Sequence, residues 1–147
     1  MQVSEKERSV GYLVKRVQQG LRRRCDAALK PTGVSMAQYA ALRALAEHPD
    51  ASAAELARLC FVTRQSLQDL LTGLRTAGLV ETVDAPPRGR ARSLCLTRRG
   101  LRQLKAADDA VFGVEALMLQ GISPSAYRRV AETLISCAEN LERSAGA

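Results

Sequence analysis

Apolar residues recur at three- and four-residue spacing through Val10, Leu13, Val14, Val17, Leu21, Cys25, Ala28 and Leu29. This is the period of one face of an α-helix, reaching about Lys30. Ser4 with Glu7 reads as a capping box at its start, and Pro31 and Gly33 end it. Ser35 with Gln38 opens a second helix, carrying Met36, Tyr39, Ala40, Leu42, Arg43 and Leu45 and stopping near His48-Pro49. Ser52 caps a short third helix from Ala53 to Leu59 or Cys60, and Phe61 and Val62 form a tight turn. Thr63 caps a fourth helix from Arg64 to Ala77, with Gly78 as its stop.

The period then changes. Leu79 to Val83 is rich in strand formers, and Arg92 to Leu96 supplies a partner with Leu94 and Leu96 on one face. Pro86 and Pro87 cannot donate to a ladder, so the segment between the strands is a projecting loop. Thr97 caps a fifth helix from Arg98 to about Gln120, and Ser123-Pro124 starts a sixth. Tyr127, Val130, Leu134, Cys137 and Leu141 are the stripe of that last helix. The fold class expected is mainly α with a small two-stranded β wing: a winged helix-turn-helix flanked by N- and C-terminal helices. All 147 residues suit one domain, with residues 35–97 as its middle and residues 1–30 and 106–147 as its flanks. The flanking stripes exceed what the middle can bury, so a homodimer is expected.

Composition sharpens the reading. The net charge is +7, distributed unevenly. Residues 53–105 hold ten Arg/Lys against four Asp/Glu, whereas residues 106–147 hold three against six. A basic middle points to a polyanion met by one part of the molecule. No apolar run reaches the roughly 18 residues of a membrane span, and the first ten residues lack a signal-peptide core, so a cytoplasmic protein is expected. One histidine and four widely spaced cysteines argue against a metal site. No phosphate-binding glycine loop or nucleophile–base grouping is present, so no catalytic residue and no cofactor are expected.

The short helix, turn and helix of residues 53–77 fit a DNA-reading helix-turn-helix, whose second helix enters the major groove N-terminus first. Its leading residues are Thr63, Arg64, Gln65, Ser66 and Gln68. Arg can hold guanine through two bonds, and Gln can hold adenine the same way. Leu67, Leu70, Leu71 and Leu74 are the expected buried face. Arg88, Arg90 and Arg92 on the loop that follows suit phosphates or a narrow minor groove.

Three segments together make the chain resemble the MarR family of bacterial winged-helix transcription regulators. They are GVSMAQYAALRALAEHP, ASAAELARLCFVTRQSLQDLLTGLRTAGLVET and RARSLCLTRRG. The resemblance implies a dimer clasped by the terminal helices. It also implies binding to an inverted-repeat operator, repression of nearby genes, and release by a small phenolic or other organic ligand or by an oxidant. Where the family wing commonly reads Asp-Arg-Arg, this chain has Arg88, Gly89 and Arg90, so Arg90 matches the minor-groove arginine without its usual acid.

An effector crevice is expected where the first, second and fifth helices meet, lined by Tyr12, Arg16, Tyr39, Arg43 and Phe112. The alternative sensor is a thiol: Cys25, which follows three arginines, or Cys60, at the turn before the reading helix. The peroxide-sensing branch of the family places its cysteine near Val14, which this chain does not match. A non-specific DNA-binding protein and a protein-interaction module are the remaining alternatives.

Overall fold

The computed structural model describes residues 2–83 and 93–145. The helices are α1 (Val10–Leu29), α2 (Met36–Glu47), α3 (Ala53–Leu59), α4 (Arg64–Thr76), α5 (Arg98–Met118) and α6 (Pro124–Ala145). The strands β1 (Val80–Val83) and β2 (Ser93–Leu96) form one antiparallel pair. The chain divides into two units, Met1–Val114 and Glu115–Ala147. No described helix is long and apolar enough to cross a membrane.

Local chemistry sets most element ends. Ser35 and Gln38 exchange both bonds of a capping box, as do Ser52 and Glu55. Each pair satisfies two backbone donors that a helix start leaves open. The Ser4–Glu7 box also closes, at 2.6 and 3.3 Å, but it encloses a 3-10 turn at Lys6–Arg8 rather than the start of α1. The backbone turns extended at Ser9, whose own hydroxyl accepts from the Tyr12 N–H, so α1 begins at Val10. At its other end a second 3-10 turn, Lys30–Thr32, leads into Gly33 at φ 73°.

The core of the first unit gathers Cys25 and Leu29 of α1, Tyr39, Leu42 and Leu45 of α2, and Leu56 of α3. Leu67, Leu71 and Leu74 of α4, Leu79 and Val80 at the start of the hairpin, and Leu104, Ala107, Val111 and Val114 of α5 join them. Leu70, expected in the buried face of α4, is only half-buried. Three of the four expected leucines therefore seat the helix.

The stripes of the flanking helices behave differently. Val10, Leu13, Val14 and Val17 of α1 are exposed. So are Tyr127, Val130, Leu134 and Leu141 of α6, and no described α6 residue is buried. The period of these stripes is that of a packed helix face, yet in one chain it meets solvent.

Candidate nucleic-acid interface

α3 and α4 pack against each other, and Leu56 and Ala57 of the one and Leu67 and Leu71 of the other are buried in the same core, leaving the start of α4 exposed. Thr63, Arg64, Gln65, Ser66 and Gln68 all lie on this exposed surface. Their side chains are not equivalent. Thr63 Oγ1 accepts from the Ser66 N–H at 3.1 Å and donates to Ser66 Oγ at 3.0 Å, so both residues are engaged in the cap. Gln65 Nε2 donates to Asp69 Oδ1 at 3.4 Å. Arg64 and Gln68 make no such contact among the described residues. They are the two long polar side chains available to an incoming partner. No acidic residue sits in the first turn of α4, so the positive end of its helix dipole reinforces Arg64.

The hairpin follows directly. Its register pairs Val80 with Leu96, Glu81 with Cys95, Thr82 with Leu94 and Val83 with Ser93. Val80 is buried, and Leu94 and Leu96 pack against the core, so one face of the ribbon anchors it. On the other face Cys95 lies 3.9 Å from Glu81 Oε1. Arg88, Arg90 and Arg92 lie outside the described residues.

Both ends of the hairpin meet at one joint. α4 ends at Gly78, φ 76°, where the Leu79 N–H returns to the Leu74 carbonyl at 2.9 Å. Thr97, which caps α5, donates its hydroxyl to the Gly78 carbonyl at 2.7 Å and its N–H to the Leu79 carbonyl at 3.0 Å. Its hydroxyl also accepts from the Gly100 N–H at 3.0 Å. Gly100 is buried there: a Cβ on it would stand 2.0 Å from the Leu79 carbonyl oxygen. The first turn of α5 therefore lies against the backbone that leaves α4, which is possible only without a side chain. Sequence reasoning missed this role. Its one signal was a glycine inside the first turn of an otherwise well-capped helix.

The residues expected to hold an effector separate into two groups. Tyr39 and Arg43 meet Asp108 of α5, which sequence reasoning missed. The Tyr39 hydroxyl donates to Asp108 Oδ1 at 2.7 Å. Arg43 Nη1 donates to the same oxygen at 2.7 Å and to the Tyr39 oxygen at 2.9 Å, while its Nε donates to Glu47 at 2.7 Å. Tyr12, Arg16 and Phe112 do not join this cluster. All three are exposed, and Phe112 is 71% exposed one turn beyond Asp108.

Burial first, and the bond to the Asp108 carboxylate second, push the Tyr39 phenol up to about 12. The raised value favours the neutral phenol in the folded chain. Its stabilising effect is present below the ordinary value of 10.0 and is lost as pH rises towards about 12. Spectroscopic titration of tyrosinate absorbance should therefore show a component at about 12. Tyr39→Phe should remove that component and flatten the alkaline fall in urea-unfolding stability. A titration unchanged by the substitution would refute the assignment.

The thiols expected as sensors differ in exposure, Cys60 being partly exposed. Cys25 is buried, and burial pushes the Cys60 thiol up, away from the thiolate. No group of three or more His, Cys, Asp or Glu side chains able to hold a metal occurs among the described residues.

Residues 32–91 match the model of the MarR family. Over 119 residues the chain is 35% identical to the HTH-type transcriptional repressor Rv2887 of Mycobacterium tuberculosis, covering 81% of this chain and 86% of that one. The crystal structure of Rv2887 with salicylic acid superimposes with a TM-score of 0.71 at 33% identity, covering 88% of this chain and 96% of the other. Its complex with DNA gives a TM-score of 0.69 at 31% identity, covering 88% and 97%.

Proposed function

The chain belongs to the MarR family, and we propose that it is a homodimeric, sequence-specific DNA-binding repressor whose operator is an inverted repeat. The observation that carries this reading is the exposed start of α4. Among the described residues Arg64 and Gln68 are unengaged there, no acid occupies the first turn, and the hairpin is locked to the helix end through Thr97. A helix offered in this way suits entry into the major groove. The family is one of transcription regulators, so the role is regulatory rather than catalytic.

The exposed stripes of α1 and α6 support assembly. Leu141 is 74% exposed and Val10 is 63% exposed, at positions whose helical period is that of a packing face. A second copy of the chain is the partner that covers them in this reading. Two reading helices then meet half-sites about one helical turn apart.

Rv2887 has been crystallised with salicylic acid and with p-aminosalicylic acid. By that likeness the effector of this chain is a small aromatic acid. Arg43 and Tyr39 are the candidate recognition groups, since a ligand carboxylate would compete with Asp108 for the same guanidinium. Tyr12 and Phe112 are the candidates for an aromatic wall, and Arg16 for a second cation facing the ligand acid.

Selection of bound duplexes from a random-sequence pool tests the reading. Enrichment of an inverted repeat supports a dimeric reader, and uniform recovery of all sequences refutes it. Arg90→Ala tests the wing. It should weaken binding and reduce the slope of log affinity against log salt by about 1 per half-site, or about 2 for the dimer, because each protomer loses one phosphate neutralisation. An unchanged slope would remove Arg90 from the interface.

A further inference from the structure

Four described residues have left-handed backbone, and three of them are glycines: Gly33, Gly78 and Gly121. The fourth is Phe61, at φ 56°. The comparison with Gly78 is close, because the two residues end their helices with the same hydrogen bonds. After α3, the Phe61 N–H donates to the Arg58 carbonyl at 3.2 Å and the Val62 N–H to the Ala57 carbonyl at 3.0 Å. After α4, the Gly78 N–H donates to Arg75 at 3.0 Å and the Leu79 N–H to Leu74 at 2.9 Å. This is the Schellman ending, whose left-handed residue is usually glycine because a Cβ crowds the following carbonyl.

Phe61 bears that crowding without recovering it by burial. Its neighbour Val62 turns inward onto the core, while Phe61 itself is 94% exposed. A strained position holding a bulky apolar ring in solvent is an outlier that points to use rather than packing. The ring stands two residues before Thr63, on the turn that aims α4. Arg58 and Arg64, both exposed, flank it in sequence, and Leu59 near it is also exposed; the two cations suit a polyanion, against which the apolar groups can still pack.

We propose that Phe61 is a DNA-contacting residue, an apolar anchor against the C–H surface of the duplex beside the groove that α4 enters. Its partner is a thymine methyl or a deoxyribose face, the apolar groups a duplex presents at that edge. The proposal rests on the reading of α4 as the DNA-reading helix.

The test compares Phe61→Gly, Phe61→Asn and Phe61→Tyr on the selected operator. Glycine and asparagine accept the left-handed backbone, so both variants should melt at or above the temperature of the unaltered chain. Both should nevertheless bind about tenfold more weakly, a change of about 1.4 kcal/mol. Tyr keeps the ring and should keep the affinity. A residue that only shaped the turn would not lose binding while keeping stability. Replacing thymine by deoxyuridine in the operator locates the contact: a penalty that vanishes assigns the methyl, and one that persists assigns the sugar. Glycine and asparagine variants that bind as tightly as the unaltered chain would overturn the proposal. So would an affinity loss accompanied by loss of the dimer in sedimentation, since Phe61 would then be a protein contact. Failure of the unaltered chain to bind any operator would instead overturn the reading of α4, and this proposal with it.

Discussion

Gly100→Ala should destabilise the protein by about 1–3 kcal/mol, although alanine is the better helix former. In a helix with room for a methyl, this substitution stabilises by roughly 0.5–1 kcal/mol. At Gly100 the new Cβ would meet the Leu79 carbonyl oxygen at 2.0 Å and its carbon at 3.0 Å. Backbone cannot swing aside as a side-chain tip does, so α5 and β1 must separate. Separation would strain the Thr97 bonds to Gly78 and Leu79. Gly113 on the same helix is the internal control, since nothing lies within 4 Å of a Cβ built there. Gly113→Ala should raise stability. Urea unfolding of both variants checks the contrast in sign, and stabilisation by both would disprove the close approach at Gly100. Because the joint also holds the hairpin, Gly100→Ala should weaken operator binding even at temperatures where the variant remains folded.

Arg64→Ala should cost about 1–3 kcal/mol of operator affinity per half-site, or roughly five- to 150-fold, and relax the preference at one base pair in each. The physical basis is the planar fork of the guanidinium, which can hold two acceptors of a guanine edge. Arg64→Lys separates the two contributions of this side chain. Lysine retains the charge but not the fork, so it should recover part of the affinity and little of the base preference. Competition titrations with operators altered one base pair at a time give both quantities. Equal weakening on every sequence would mean that Arg64 touches phosphate rather than a base.

Much of this architecture was legible in the sequence because the signals are local. Ser35 with Gln38 bridges three residues, so its capping box can be read from spacing and appears as expected; Ser52 was legible as a cap, and its box is completed by Glu55. Ser4 with Glu7 shows the limit of that logic. The bonds form, yet they enclose a 3-10 turn, and Ser9 is the residue that caps α1. Two nearby caps compete for one helix start, and spacing alone does not choose between them. The start of α4 was legible as a surface. Which of its side chains remain available was not, because Thr63–Ser66 and Gln65–Asp69 pairings use rotamers that a sequence does not state.

By itself, then, the sequence determined the order of the main helices and strands, the caps of α2, α3 and α4, the hairpin and the apolar stripes, all consequences of chemistry within a turn or two of each residue. Only the tertiary structure decided which stripes are core and which remain open. It brought Asp108 to Tyr39 across 69 positions, and it laid the first turn of α5 on the Leu79 carbonyl. It also put a phenylalanine where the other left-handed turns among the described residues use glycine. Contacts between distant segments arise from how helices pack, and no spacing along the chain encodes which backbone atoms will then be neighbours.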